Sequence, residues 1–462
     1  MSEPLGSAQR PLRVAIIGAG PAGFYTVEAL LKQKNLVCQI DIFNRFPTPY
    51  GLVREGVAPD HQSIKAVTRI YDKLAAHSSV RYFGNVTFGV DITRADLRAR
   101  YDQIVYAVGA QSDRRMGIPG EDLFGSMPAT AFVGWYNGRP DYRDLEVDLN
   151  VERVVVVGNG NVAMDVTRIL VSDPDDLVKT DIADHALAAL RQSKVREVVM
   201  LGRRGPAQAA FTNPELKEFG ELRGVDVIVD PADLDLDPLS EAALAEDKTA
   251  AKNVELLRTY AARGDTGAPR RIVMRFLVSP IAIHGVDGRV TGVTIERNRL
   301  VQAADGSLRP KGTGVTEELS CGMVLRSVGY RGEPLPDVPF DEASGTIPNR
   351  DGRVLNGPNG DPVPGEYVVG WIKRGPSGVI GTNKPDAVAT VNSMLADLPA
   401  LPGAPESDDI ADLLRSRGVD FVTFADWQRL DAYETAQGTA QGRPRVKVTR
   451  VDEMMDIIRA GR

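Results

Sequence analysis

Cysteine is scarce in this sequence: its 462 residues include two, Cys38 and Cys321. A CxxC redox pair needs two cysteines close together, and an iron–sulfur cluster or a zinc knuckle needs about four ligands, most of them cysteine. The sequence therefore offers no cysteine redox motif or cluster, and we expect no metal site. A disulfide between the two is conceivable. Yet so few cysteines in a large chain are typical of a reducing compartment, so we predict a cytoplasmic protein.

Long apolar runs and an excess of basic charge are also missing. No apolar run approaches the roughly 18 residues that a membrane span needs. The opening MSEPLGSAQRP has neither the basic nor the apolar region of a signal peptide. The net charge is −7, which excludes a general attraction to nucleic acid or to anionic lipid. We therefore expect no membrane insertion and no nucleic-acid partner.

Two strand–helix–strand series are present, in a chain long enough for two or three domains. Residues 12–17 and 38–43 read as buried strands with a helix between them. A second series has a strand over 153–157, a helix over 161–171 and a strand over 196–205. The pattern predicts an α/β fold with two Rossmann-like dinucleotide-binding domains.

Further elements follow from apolar spacing and turn residues. Residues 62–74 are predicted to form one amphipathic helix, with a buried stripe of Ile64, Val67, Ile70 and Leu74. Residues 101–111 read as a strand that ends in glycine, and 230–266 as an acidic, mostly exposed helical region. Strands return over 271–297, and 398–409 reads as a surface connection.

A glycine-rich loop follows the first strand of each series. In the first loop, Gly18 is expected to make the tight turn, Gly20 to allow close approach of a pyrophosphate, and Gly23 to permit close helix packing. The second loop has Gly158 and Gly160, with Ala163 at the third position. One such loop is weak support because any tight strand-to-helix turn needs glycine. Two in the same context predict two dinucleotide sites.

The residues after the next strand of each series distinguish the two ligands. Arg203 and Arg204 follow the second series' strand and suit a 2′-phosphate, which favours NADPH over NADH. The alternative is a pair of solvated surface arginines. They stand farther from Gly158 than the usual ~20 residues, because a polar insert intervenes. In the first series the strand ends at Asn44, where no arginine pair follows, so a ribose without phosphate, as in FAD, fits better.

Several stretches together resemble one known family. They are GAGPAG, PTPYGLVREGVAPDH, YAVGAQSDR, GNGNVAMD, GRRGP followed by NPELKE, RSVGYRG, and GWIKRGPSGVIGTNKPDA. In this order and combination, over nearly the whole chain, they resemble the ferredoxin–NADP(+) reductases of the adrenodoxin reductase type, particularly the bacterial members.

The resemblance implies a domain plan and a set of cofactor contacts. An FAD domain would comprise residues 1–108 and 330–462, and an NADP domain over 109–329 would be inserted into it, in a glutathione-reductase-like arrangement. The implied FAD contacts, with the first loop, are Gly18, Gly20, Ala22, Gly23, Asn44, Leu52, Val86, Trp371, Gly378, Val379 and Ile380. The implied NADP contacts are Asn159, Gly160, Asn161, Val162, Arg203, Arg204, Glu215 and Gly378.

Asn44 departs from the family pattern, which has Glu at this position. A carboxylate would accept a hydrogen bond from the adenosine ribose more strongly than an amide does. We therefore expect the substitution Asn44→Glu to tighten FAD binding.

His61 and Glu215 are candidates for a supporting catalytic pair. A lone loop histidine is usually a surface or capping residue. Asn213 as the N-cap, Pro214 at the first helical position and an acid in the first turn would form an ordinary helix start. The resemblance instead places His61 near the flavin and close to Glu215. There the pair would handle a proton or position the nicotinamide.

The implied activity is electron transfer from NADPH through FAD to a ferredoxin, two electrons arriving as hydride and leaving singly. Alternatives are an NADPH-dependent flavin disulfide reductase, for which the cysteines lack near partners, and a non-catalytic FAD/NADPH-binding sensor. Ferredoxins are typically acidic, so docking on this net-negative chain requires local basic residues. We consider Lys65, Arg69, Lys73, Lys373 and Arg374, for which solvated surface charge is the alternative.

Overall fold

The computed structural model describes residues 4–404 and 408–462, and the chain divides into two compact units. Unit 1 comprises the chain up to Val57, His61–Ser112 and Gly329–Arg462. Unit 2 comprises Ala58–Asp60 and Asp113–Val328. The predicted surface connection over 398–409 lies partly outside the described residues.

The strands, in chain order, are β1 (Leu12–Ile17), β2 (Cys38–Phe43), β3 (Val80–Phe83), β4 (Gln103–Tyr106), β5 (Ser112–Asp113), β6 (Ser126–Pro128), β7 (Arg153–Val157), β8 (Glu197–Leu201), β9 (Val225–Val229), β10 (Arg270–Arg275), β11 (Val278–Val286), β12 (Arg289–Gln302), β13 (Leu308–Ser320), β14 (Met323–Arg326), β15 (Tyr330–Arg331), β16 (Asn349–Arg350), β17 (Arg353–Leu355) and β18 (Pro362–Val368).

The α-helices are α1 (Pro21–Leu31), α2 (Leu52–Glu55), α3 (Gln62–Lys65), α4 (Thr68–Ala75), α5 (Arg94–Arg100), α6 (Ala129–Asn137), α7 (Asn161–Val171), α8 (Pro174–Leu177), α9 (Asp184–Arg191), α10 (Asn213–Phe219), α11 (Pro238–Glu246), α12 (Lys248–Arg263), α13 (Trp371–Arg374), α14 (Asn383–Asp397), α15 (Ile410–Ser416), α16 (Phe424–Thr439) and α17 (Val451–Ala460).

Unit 1 is built on a seven-stranded sheet in the order β16-β17-β18-β4-β1-β2-β3. The β18-β4-β1-β2-β3 part is parallel, and the edge strands β16 and β17 are antiparallel. β1 and β2 are apolar almost throughout because a parallel strand is covered on both faces. The carboxyl ends of β1 and β2 therefore open at one edge of this sheet, where the first glycine loop lies.

Unit 2 is built on a six-stranded parallel sheet in the order β6-β14-β7-β8-β10-β9. A three-stranded antiparallel sheet, β11-β12-β13, follows β10 in the chain. β7 and β8 pair from Arg153↔Glu197 to Val157↔Leu201, so both strands end at the same edge. The second glycine loop begins at that edge.

The predicted α/β class with two Rossmann-like units is confirmed. The strands expected at 12–17, 38–43 and 153–157 and the helix over 161–171 have the predicted bounds. The strands expected at 101–111 and 196–205 are shorter, as β4 and β8. They stop early because a parallel strand ends where the chain turns out of the sheet, and the glycines and arginines that follow belong to those turns.

The single helix predicted over 62–74 is wrong. The chain forms two shorter helices, α3 and α4, and the side chains of Ile64 and Ile70 are 42% and 49% exposed. Tyr71 sets the buried face of α4: it is fully buried and stacks on Phe24, with ring centroids 4.8 Å apart. Because Tyr71 adjoins Ile70 in sequence, burying the larger aromatic ring turns the isoleucine outward.

Candidate functional site

The first glycine loop, between β1 and α1, has the three features predicted for it. Gly18 has φ +113°, and a Cβ there would lie 2.5 Å from the Ala107 carbonyl oxygen. A Cβ at Gly23 would lie 2.3 Å from the Gly18 carbonyl oxygen, so α1 packs directly against the turn. A Cβ at Gly20 would have nothing within 4 Å. Gly20 thus presents bare backbone with open space in front of it.

The second glycine loop, between β7 and α7, repeats this geometry. Gly158 has φ +136°, and a Cβ there would lie 2.3 Å from the Ser327 carbonyl oxygen. A Cβ at Gly160 would have nothing within 4 Å, and Ala163 is fully buried against the core of unit 2. The third position therefore accepts a methyl group because it concerns packing rather than access.

The helix that leaves each loop presents free backbone donors. Gly20 and Gly160 are the N-cap residues of α1 and α7, and neither helix has a side-chain cap or an acid in its first turn. The first N–H groups of a helix need acceptors, and the positive end of the helix dipole favours an anion. With open backbone at both N-caps, the residues present fit a phosphate group at each loop.

Asn44, at the end of β2, clamps the first loop. Its Oδ1 accepts from the Ala19 N–H at 3.3 Å, and its Nδ2 donates to the carbonyl oxygens of Phe46 at 3.0 Å and Thr48 at 2.9 Å. Both amide hydrogens are therefore occupied within the protein. The side chain retains one acceptor site for a ribose hydroxyl.

This geometry reverses the expectation for Asn44→Glu. A glutamate at this position cannot donate to the carbonyl oxygens of Phe46 and Thr48, so both bonds are lost. We predict that Asn44→Glu weakens FAD binding by about thirtyfold, because two bonds of roughly 1 kcal/mol each are lost. Fluorescence titration of the apoprotein with FAD measures it, and Asn44→Gln, which keeps both donors, is the control. Tighter FAD binding by the glutamate variant would contradict this prediction and would indicate that the carboxylate binds the ribose, as the family pattern implies.

The segment after Asn44 lies against the first loop. The Tyr50 N–H donates to the Ala19 carbonyl oxygen at 2.8 Å, and a Cβ at Gly51 would lie 3.1 Å from the Gly20 Cα. Leu52 begins α2 directly after this contact and is half-buried. Val86 is buried, and its N–H donates to the Asn44 carbonyl oxygen at 3.0 Å. Leu52 therefore follows a residue that lies against the loop, and Val86 bonds the residue that clamps it.

Tyr50 was not among the predicted site residues. Its φ is +85°, a conformation that non-glycine residues rarely adopt and that persists only where the surroundings enforce it. The sequence signal was available in the stretch PTPYGL, in which two prolines and a glycine constrain the turn around the tyrosine.

The residue before Trp371 lies against α1, the helix that leaves the first loop. Gly370 has φ +77°, and a Cβ there would lie 2.6 Å from the Ala22 side chain on α1. Trp371 Nε1 donates to the Ser377 carbonyl oxygen at 3.1 Å, which ties α13 to the following glycine turn. In that turn Gly378 has φ +80°, and Val379 is 60% exposed. Ile380 then leads into α14.

Arg203 and Arg204 follow β8 at the carboxyl edge of the unit 2 sheet. A Cβ at Gly202 would lie 2.9 Å from Asn159 Nδ2, so this end of β8 lies against the second loop. Over residues 4–404 and 408–462, neither guanidinium has a hydrogen bond or an ion pair. Burial, and then the neighbouring Arg203 charge, lowers the pKa of Arg204. Two adjacent cations without a counter-charge are suited to a dianionic phosphate.

Asn161 connects the second loop to Glu215. Its Nδ2 donates to Glu215 Oε1 at 3.2 Å, and its Oδ1 accepts from the Thr212 N–H at 2.9 Å. The Thr212 hydroxyl donates to Glu215 Oε2. Thr212 is the N-cap residue of α10, so the predicted N-cap Asn213 is wrong, and its amide instead donates to two residues of α12. Glu215 is therefore held beside the second loop, with Val162 half-buried nearby in α7.

His61 directly precedes α3 and is half-buried. It belongs to unit 1, whereas Glu215 belongs to unit 2. The pairing of these two side chains stays a prediction.

Three of the five basic residues considered for docking are engaged within the protein. Lys65 is buried, and Lys373 Nζ donates to Asp386 Oδ1 at 2.8 Å. Arg374 donates to Asn383 Oδ1 at 3.0 Å. Arg69 and Lys73, both on α4, are exposed.

Both cysteines are free and buried. Burial raises the pKa of the Cys38 thiol, and it raises that of Cys321 to about 12. A redox-active cysteine reacts as the thiolate, which these sites disfavour. The burial of both thiols therefore disfavours a flavin disulfide reductase. Among the described residues, no helix combines the length and the apolar character needed to cross a bilayer.

Comparison with known proteins places the chain in a family. The profile of the family described as Pyridine nucleotide-disulphide oxidoreductase matches residues 12–209. The NADPH-ferredoxin reductase FprA of Mycobacterium tuberculosis is 50% identical over 460 residues, covering 97% of this chain and 99% of that protein. The chain belongs to the NADPH-ferredoxin reductase family. The resemblance inferred from the sequence motifs is thereby confirmed.

Other members of the NADPH-ferredoxin reductase family and its relatives match over similar lengths. A structure of Mycobacterium tuberculosis FprA in complex with NADPH has a TM-score of 0.91 and 48% identity, covering 97% of this chain and all of that one. The mitochondrial NADPH:adrenodoxin oxidoreductase of Arabidopsis thaliana is 39% identical, covering 97% of this chain and 96% of that protein.

Proposed function

We infer that this chain is an FAD-dependent oxidoreductase that transfers electrons from NADPH to a ferredoxin. The observation that carries the inference is the pair of glycine loops with one geometry. The second alone is followed by two arginines whose guanidiniums have no hydrogen-bond or ion-pair partner among the described residues. FAD is assigned to the predicted domain of residues 1–108 and 330–462. NADP is assigned to the predicted domain over 109–329. The names of the relatives reported above support NADPH, and the family resemblance implies FAD.

The residues of this chain bind and position the two cofactors. The flavin, when bound, accepts a hydride and releases electrons singly. Gly20 and the N-terminus of α1 would receive the FAD pyrophosphate, and Gly160 and the N-terminus of α7 that of NADPH. Arg203 and Arg204 would hold the 2′-phosphate. Orientation of the two rings supplies most of the rate, because hydride transfer depends on close, aligned approach.

His61 and Glu215 are proposed as a pair that positions the nicotinamide or handles a proton. Glu215 already accepts hydrogen bonds from Asn161 and Thr212, so its carboxylate is fixed in orientation. His61, at the start of α3, is the partner predicted from the family resemblance. Because neither residue forms or breaks a bond to hydride, the expected loss on substitution is moderate.

The electron acceptor is proposed to be a ferredoxin, docked through local basic residues. Arg69, Ile70 and Lys73 are neighbours on exposed positions of α4, which combines positive charge with an apolar side chain. A surface of this composition suits an acidic partner protein that has an apolar side chain near its iron–sulfur cluster.

Charge reversal on α4 tests this docking. We predict that Arg69→Glu with Lys73→Glu raises the KM for ferredoxin about tenfold at low salt, since two attractive charges become repulsive. Anaerobic bleaching of the flavin by NADPH alone should be unchanged. Raising the ionic strength should slow ferredoxin reduction by the unmodified protein. It should also reduce the difference in KM between the unmodified protein and the double variant. A rate independent of salt would exclude electrostatic docking.

Steady-state turnover separates the enzyme from a non-catalytic FAD/NADPH sensor. The purified protein should be yellow, and NADPH should bleach the flavin under anaerobic conditions. It should also reduce an artificial acceptor continuously, whereas a sensor would turn over negligibly. A screen of ferredoxins with NADPH as donor then identifies the physiological acceptor. We propose the cytoplasm as the site of action, in keeping with two buried, free thiols.

A further inference from the structure

A buried ion pair connects the turn beside the first glycine loop to α16, the last helix but one of the chain. Arg54 NH1 donates to Glu434 Oε2 at 2.8 Å, and Arg54 NH2 donates to Glu434 Oε1 at 2.6 Å. Their side chains are 7% and 0% exposed. Arg54 lies in α2, three residues after Gly51, so this bidentate pair joins residues 380 positions apart within unit 1.

Glu434 is fully enclosed by donors. Its Oε1 also accepts from the Val448 N–H at 2.9 Å, and its Oε2 also accepts from Arg445 at 3.2 Å. On the other side, Lys447 Nζ donates to the Arg54 carbonyl oxygen at 3.0 Å. Glu434 therefore binds the side chain of Arg54, and Lys447 binds its backbone.

Helix α16 also contacts Tyr50. Trp427 of α16 lies under the Arg54 guanidinium, 5.2 Å from it, and its Nε1 donates to the Tyr50 hydroxyl oxygen at 3.2 Å. The Tyr50 hydroxyl donates in turn to Asp72 on α4. These contacts enforce the unusual φ of +85° at Tyr50, whose N–H bonds the first glycine loop at Ala19.

We propose that Glu434 is a positioning residue for FAD. It acts through Arg54, which fixes the Tyr50–Leu52 turn against Gly20, where the pyrophosphate would approach. The proposal rests on the proposed function insofar as the first glycine loop holds FAD. Helix α16 would thereby set how tightly the protein retains its flavin, although it lies far from the glycine loop in sequence.

The physical reason is the cost of a buried charge without its partner. A guanidinium enclosed at this depth is stable only while a carboxylate compensates it. When Glu434 is neutral, Arg54 is expected to move toward water and to take α2 with it. The contact between Gly51 and Gly20 is then lost, and the Tyr50 backbone leaves its strained conformation. The open backbone at Gly20 consequently loses its fixed geometry.

The test compares Glu434→Gln with Glu453→Gln, an exposed acid on α17. FAD dissociation constants are measured by fluorescence titration of the apoprotein, at a temperature where each variant is folded by circular dichroism. We expect Glu434→Gln to weaken FAD binding at least about tenfold, and Glu453→Gln to leave it unchanged. The flavin's visible circular dichroism should change in the first variant alone, because that signal reports how the ring is held.

A double-mutant cycle with Arg54→Met shows whether Glu434 acts through Arg54. In the Arg54→Met background the effect of Glu434→Gln on the FAD dissociation constant should disappear. Lower thermal stability with an unchanged dissociation constant would overturn the proposal, and so would an effect that persists without Arg54. If Glu434→Gln does not fold, Arg54→Met alone replaces it, since it removes the same ion pair. It should weaken FAD binding by about the same factor; unchanged binding would overturn the proposal.

Failure of this proposal is distinguishable from failure of the proposed function. If the unmodified protein takes up no FAD, the proposed function is wrong. If it binds FAD and Glu434→Gln binds equally well, only the role of Glu434 is wrong.

Discussion

Replacing Arg203 and Arg204 together by alanine should raise the KM for NADPH by at least about a hundredfold while leaving the KM for NADH nearly unchanged. Each charge-assisted hydrogen bond to a phosphate contributes roughly 1.5–3 kcal/mol, and two such bonds are lost. NADH has no 2′-phosphate, so it gains no energy from either guanidinium. Steady-state rates with the two nucleotides, measured with one artificial acceptor, give the comparison.

The structure sharpens this prediction because both guanidiniums lack partners in the described part of the chain. Removing the two guanidiniums therefore breaks no hydrogen bond or ion pair among the described residues, and the stability of the protein should hardly change. Arg309, an exposed arginine paired with Asp305 in unit 2, gives the matched control Arg309→Ala. Equal effects on NADPH and NADH would mean that the two arginines are merely solvated surface residues.

The elements that the sequence predicted best are those with a single strong local cause. β1, β2, β7 and α7 have the predicted bounds because buried apolar runs and glycine turns decide them without distant contacts. The helix over 62–74 failed because the burial of Tyr71 depends on Phe24, far away in sequence. Local periodicity cannot show which of two adjacent apolar residues has a partner.

The site follows the same division. The tight turn at the first glycine of each loop and the close packing at the third position could be predicted, because backbone sterics require small residues at this fixed spacing. The role of Asn44 could not, since its amide hydrogens go to the carbonyl oxygens of Phe46 and Thr48, and hydrogen-bond partners are not visible in a motif. Lys373 shows the same limit: its charge suggested docking, but Asp386 neutralises it within the fold.

Gly160→Val should abolish NADPH-driven bleaching of the flavin at accessible concentrations while leaving FAD content and folding intact. Gly160 has φ −101° and ψ 177°, which any residue can adopt, and a Cβ there meets nothing within 4 Å. The valine therefore fits the folded protein. Its side chain would occupy the space where a pyrophosphate must approach the backbone, so we expect the KM for NADPH to rise by more than about a hundredfold.

Two other loop glycines, one open like Gly160 and one crowded, give matched comparisons. Gly20→Val, with the same extended backbone and the same open space, should instead yield a folded protein without FAD. Gly158→Val should fail to fold, since φ is +136° and a Cβ would lie 2.3 Å from the Ser327 carbonyl oxygen. Absorbance at the flavin maximum, circular dichroism and anaerobic bleaching separate the three outcomes. If Gly160→Val reacted with NADPH as readily as the unmodified protein, the second loop would not be the NADPH site, because no pyrophosphate can share that space with a valine.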